Sequence, residues 1–213
     1  NYLLLLREFY SIKNINLNQR DKDGNNIIFK LMEYNEKNLI KDKKLYLNTI
    51  KNLINAGVDI NAKNNEGLTA LHIAIGEKCE YTIRLLLEMR ADCFITDKQG
   101  RSVVHTCIWK NTTKYFKLIH HYNKEIVNIP DRYGIRPINY AAFMGKKNLV
   151  IEMLDAGALI NNPNKKDPKI LEFLEKFHSN ILTLTKNVDK EIDAVNLRLL
   201  ADNMIKEFNI IQN

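Results

Sequence analysis

The chain has 213 residues, enough to bury a sizeable core in one or two domains, and its 45% hydrophobic and 27% charged residues are those of a folded protein. No apolar run approaches the roughly eighteen residues a membrane-spanning helix needs, because none exceeds five, as around the four leucines Leu3 to Leu6. The formal charge of +7 comes from scattered lysines in an Asn-, Ile- and Lys-rich chain, as an AT-rich coding sequence gives, so it carries little weight for nucleic acid or a membrane surface.

Residues 3–9 and the following NINLNQRDKDG read as a second helix and loop whose first helix is missing. With Asn in place of Met at position 1, the chain is expected to be an excerpt of a longer protein, so a signal peptide could have been lost. Four turns then follow: DKDG at 21–24, NNEG at 64–67, DKQG at 97–100 and DRYG at 131–134. The last three are spaced by 33 and 34 residues, a repeat period. The first interval is 43, and its surplus falls in the polar run 35–44, expected to be a ten-residue insertion between two helices. In a second register, Gly57, Arg90 and Gly157 close the second helices.

Each unit follows one physical pattern. Asp or Asn opens the turn and Gly gives it backbone freedom. Thr69, Ser102 and, less well, Asn26 cap the first helix, and Pro137 sits where no amide partner is needed. Leu71, Val104 and Ile138 lie four residues after the glycine, with Ala74, Cys107 and Ala141 three further on, so each pair shares a helix face. Second helices carry Ile83, Leu86 and Leu87, or Val150, Met153 and Leu154, at the spacing of a buried stripe. Residues 169–177 read as the first helix of a worn last repeat. From Val188 to Ile211 runs an amphipathic stretch whose stripe shifts near Asp202; it would cap the open end of the stack or dock a partner.

The chemistry-bearing residues do not assemble into an enzyme. His105 and Cys107 are two apart and His120 and His121 adjacent, but the ligand spacings of a zinc site are absent. There is no nucleophile elbow or clustered phosphate-binding glycine loop. Three cysteines, Cys79, Cys93 and Cys107, are an odd number scattered through helical patterns, which favours a reducing compartment over a disulfide framework.

The sequence TALH at 69–72, INAGVDINAK at 54–63 and LLEMRAD at 86–92 resemble the ankyrin-repeat family, the first being one residue from its Thr-Pro-Leu-His signature. The likeness covers about residues 2–162, and SVVH, RPIN and NIIF are progressively poorer copies. It implies an all-α fold: an ankyrin-repeat solenoid of stacked helix-turn-helix units with a C-terminal amphipathic helix. The expected boundaries are a repeat domain over 1–178, with a partial first repeat, four recognisable repeats and a degenerate last one, and a helical cap over 179–213. The resemblance also implies that His72 and His105 tie turns together, and that the family binds proteins on the concave side lined by turns and first helices.

Carried over position by position, that surface comprises Leu68, Glu77, Arg101, Trp109, Lys110, Arg132, Tyr133, Ile135, Phe143 and Met144. An aromatic centre rimmed by Arg101, Lys110 and Arg132 has the composition of an interface hot spot, whereas Trp109 and Phe143 could equally pack on each other and on neighbouring turns. The expectation is a non-catalytic scaffold for a protein partner, without cofactor, metal, small-molecule substrate or membrane span. The rival readings are a targeting arm of a larger effector enzyme and, behind it, nucleic-acid binding. The expected location is cytoplasmic, or host cytoplasm for a viral or intracellular-bacterial protein engaged with its host.

Overall fold

A computed structural model describes residues 16–36 and 42–159. The expected partial first repeat at 3–9, half of the insertion, at 37–41, the worn repeat at 169–177 and the helical cap at 179–213 lie outside the described residues. The chain divides into two compact units, 1–98 and 99–213. The described residues are helices and turns, with no strand among them.

In the first unit, α1 (Ile27–Glu36) pairs with α2 (Lys43–Asn55), and α3 (Ala70–Gly76) pairs with α4 (Glu80–Glu88). First helix packs on first helix and second on second, around Ile28, Leu31, Ile50, Leu53, Leu71, Ile75, Ile83 and Leu86, all fully buried. A seven-residue helix such as α3 is marginal alone and owes its stability to this packing. Tyr46 enters the same core and meets Thr82 hydroxyl to hydroxyl at 3.2 Å, and burial holds its phenol above the usual range. The extra residues of the first repeat lengthen both helices: α1 has 10 residues and α2 has 13, against 7 and 9 in the next repeat.

In the second unit, α5 (Val103–Trp109) is followed by a 3-10 turn at Thr113–Tyr115 and α6 (Phe116–Tyr122), then a second 3-10 turn at Lys124–Asn128. α7 (Pro137–Phe143) and α8 (Lys147–Asp155) complete it, with α5 against α7 and α7 against α8. Val104, Cys107, Ile108, Phe116, Ile119, Ile138, Ala141, Val150 and Met153 form its core.

Turns stack by backbone hydrogen bonds within each unit. Asn65 N donates to Asp23 O at 2.9 Å and Lys98 N to Glu66 O at 3.0 Å; in the second unit Arg132 N donates to Gln99 O at 3.1 Å. The residue opening a turn locks it, since one side-chain oxygen accepts two amides: Asp21 from Asp23 and Asn25, Asn64 from Glu66 and Leu68, Asp131 from Tyr133 and Ile135. A second set of asparagines joins the loops after the second helices. Asn18 bridges Gly57 O and Asp59 N, Asn61 accepts from Asp92 N, and Asn128 bridges Gly157 O and Leu159 N. Part of the asparagine content therefore has a structural job that composition alone does not reveal.

Lys30 bonds the Asp21 carboxylate at 2.9 Å and, with the Asn25 amide, lowers its pKa from 3.8 to about 2. A carboxyl lowered on folding stabilises the fold above its unfolded value and loses that contribution as pH falls towards about 2. Urea midpoints at about pH 5 and about pH 2.5 should therefore differ less in Asp21→Asn than in the wild type. An equal drop in both would remove Asp21 from the acid response.

The second-helix stop is left-handed in every described repeat that has one: Gly57 at φ 96°, Arg90 at 63° and Gly157 at 81°. Arg90 thus occupies a glycine's conformation. Arg90→Gly should stabilise the protein by about 0.5–1 kcal/mol, a rise of about 1–4 °C in the melting midpoint. An unchanged or lower midpoint would mean that the arginine side chain contributes more than its backbone loses.

Candidate functional site

Short first helices position the site because their caps are tied to the turns. Ser102 precedes α5, and His105 Nδ1 accepts from the Ser102 amide at 3.1 Å while lying 3.0 Å from its hydroxyl. With Nδ1 accepting from the amide, Nε2 carries the proton and donates to Ile135 O at 3.3 Å. One imidazole therefore links its own helix start to the next turn. Thr69 and His72 repeat the cap in the first unit. With both ring nitrogens of His105 engaged and Cys107 fully buried, this pair is structural in its contacts. Among the described residues no cluster of three His, Cys, Asp or Glu side chains could hold a metal.

At the end of α5, Trp109 is 45% exposed, yet its ring lies 5.4 Å from that of Tyr140 on α7. Tyr140 also meets His105 edge-on at 5.4 Å and donates its hydroxyl to Asp131 Oδ2 at 2.6 Å. Burial first, and then the Asp131 bond, hold the Tyr140 phenol well above its usual range, so it stays a donor. Asp131 Oδ1 in turn fixes the Tyr133 and Ile135 amides. The chain of contacts Trp109–Tyr140–Asp131 thus sets the tryptophan in register with the 131–135 turn. On that turn Arg132 lies over the Tyr133 ring, 4.6 Å from its centroid, and bonds its hydroxyl; Tyr133 is 42% exposed.

Other expected site residues fall in different places. Lys110 caps α5 and is exposed, Met144 caps α7 and is half-buried, and Arg101 is half-buried before α5. Ile135 is buried, 5% exposed, and packs inside the unit. Phe143 ends α7, but its side chain lies outside the described residues. Leu68 and Glu77 stand in the first unit, half-buried and exposed respectively. Two participants escaped the sequence reading. Tyr140 has a signal in its spacing: three residues after Pro137, it returns to the same helix face as the turn. Lys146 reaches Asn111 Oδ1 at 2.7 Å, beside Lys110, a contact that no spacing announces.

Comparison with known proteins gives a consistent likeness. The family model described as Ankyrin repeats (3 copies) matches residues 39–128. A probable 26S proteasome regulatory subunit p28 from Saccharomyces cerevisiae is 29% identical over 128 residues, covering 57% of this chain and 56% of that protein. The human B-cell lymphoma 3 protein is 43% identical over 56 residues, 26% of this chain and 12% of the relative. This chain therefore spans little more than half of one relative and a small part of the other. Among solved structures, an ankyrin repeat domain from Acinetobacter baumannii AYE superposes with a TM-score of 0.63 at 19% identity, covering 86% of this chain and 92% of that one, a likeness of fold. No helix among the described residues is long and apolar enough to cross a membrane.

Proposed function

The chain carries ankyrin repeats, and from that premise we propose that it is a protein-binding scaffold whose second unit holds a partner on the side formed by its turns and first helices. The observation that carries the reading is Trp109: a tryptophan left 45% exposed although Tyr140 already packs against it. An exposed aromatic residue tied through Tyr140 and Asp131 to the turn that carries exposed Tyr133 and Arg132 is how an interface anchor differs from a core residue. Trp109, Lys110, Arg132 and Tyr133 form the proposed contact, with Arg101 and Met144 at its border. Ile135 supports it from beneath. Leu68 and Glu77 occupy the corresponding positions of the first unit and are assigned the same role there.

The mechanism is presentation of pre-set side chains, without turnover. The reading is supported by the repeat grammar and by the structural commitment of His105 and Cys107, the pair nearest to a catalytic arrangement. A cytoplasmic location, in the cell of origin or in a host, accords with three free cysteines. The test is capture of a partner from extract of the native cell by the intact chain, compared with Trp109→Ala.

A further inference from the structure

The contact face of the second unit has a one-sided charge. Arg132 is pre-set by stacking on Tyr133, Lys110 stands exposed at the end of α5, and Lys146 reaches over to the adjoining Asn111. The carboxylate adjoining Arg132 in the chain, Asp131, is only 7% exposed, and its two oxygens accept from the Tyr133 and Ile135 amides and the Tyr140 hydroxyl. Its charge is therefore turned inward. The other acidic residues described in this unit lie elsewhere: Glu152 on α8 pairs with Lys117 at 3.1 Å, Glu125 is in the 3-10 turn after α6, and Asp155 ends α8.

We infer that this face takes an acidic peptide segment of the partner, one that places an apolar or aromatic side chain against Trp109 and carboxylates against Arg132 and Lys110. The inference rests on the protein-binding function proposed above and adds the chemistry of what is bound. A planar guanidinium already oriented by a ring offers paired N–H groups to a carboxylate with less ordering cost than a mobile lysine. The exposed indole supplies the area that charge alone does not. Nucleic acid is the poorer fit, since a phosphate backbone needs a continuous basic track. Here the cations come one each from the end of α5, the 131–135 turn and the start of α8.

Trp109 is the single tryptophan of the chain, so its emission reports on this face directly. The full chain is titrated with a short synthetic peptide of alternating Glu and Asp containing two Phe, with its Gln/Asn counterpart, with a Lys counterpart, and with oligothymidine of equal charge. The acidic peptide should shift the emission saturably and bind at least about tenfold more tightly than the neutral one. The double variant Lys110→Glu with Arg132→Glu, its helicity checked by circular dichroism, should lose the acidic peptide and gain the Lys peptide. Equal binding of the neutral peptide, tighter binding of oligothymidine, or no saturable shift with the acidic peptide overturns the inference. If that happens while Trp109→Ala still abolishes partner capture, only the charge assignment falls. If Trp109→Ala leaves capture intact, the protein-binding site itself falls.

Discussion

Gly100→Ala should destabilise the protein by about 3 kcal/mol or more, lowering the melting midpoint by about 6–12 °C, whereas Gly57→Ala should cost about 1 kcal/mol. Both glycines are left-handed, at φ 75° and 96°, so both variants carry the backbone penalty of an L-residue there. Surroundings separate them. A methyl on Gly100 would overlap Arg132 N, with Asp131 C at 3.0 Å and Arg132 Cα at 3.1 Å, and rigid backbone cannot swing aside as a side chain can. It would also break the Arg132 N to Gln99 O bond by which the two turns stack. A methyl on Gly57 meets nothing within 4 Å, and Arg90 adopts the same left-handed conformation at the matching position. Thermal melts of the two variants check the difference. Equal losses would mean that turn stacking contributes little. Because Arg132 and Tyr133 ride on the displaced turn, Gly100→Ala should also weaken partner binding.

Trp109→Ala carries the largest expected effect on binding: about 2 kcal/mol or more, close to a thirtyfold weaker complex. The substitution removes the exposed indole and its ring contact with Tyr140, a contact worth about 0.5–1.5 kcal/mol to the fold, so a modest loss of stability should accompany it. Tyr122 supplies the control. It is 41% exposed, in the same unit, but ends the second helix α6, whereas Trp109 ends a first helix. Tyr122→Ala should leave binding within about 0.5 kcal/mol of wild type. Its loss in place of Trp109's would put the partner on the second-helix side.

Repeat period, caps and core stripes were legible because each is a local rule. Thr69 with His72 and Ser102 with His105 form capping boxes, and Leu71, Val104, Ile138, Ala74, Cys107 and Ala141 are all buried. The third repeat was harder. Its second helix follows a 3-10 turn and is followed by another, with Tyr115 and Val127 buried outside the helix proper, so no continuous 3.6-residue stripe announces it.

At the proposed site, matching positions between repeats located the turn and the ends of the first helices. It did not determine which side chain faces outward. Arg101 is half-buried and Ile135 is buried, although both follow a turn glycine. Such differences depend on what the neighbouring repeat presents, which a period cannot encode. Tyr140 shows the converse: a residue within the inward-facing helix pattern that, through Asp131, sets Trp109 in register with Tyr133.

The most direct test is the dissociation constant of the purified partner, first captured with the intact chain, for wild type, Trp109→Ala and Tyr122→Ala side by side. A thirtyfold or greater loss is expected for Trp109→Ala, with Tyr122→Ala unchanged and helicity preserved in both. Wild-type affinity in a folded Trp109→Ala would contradict a partner site on this face.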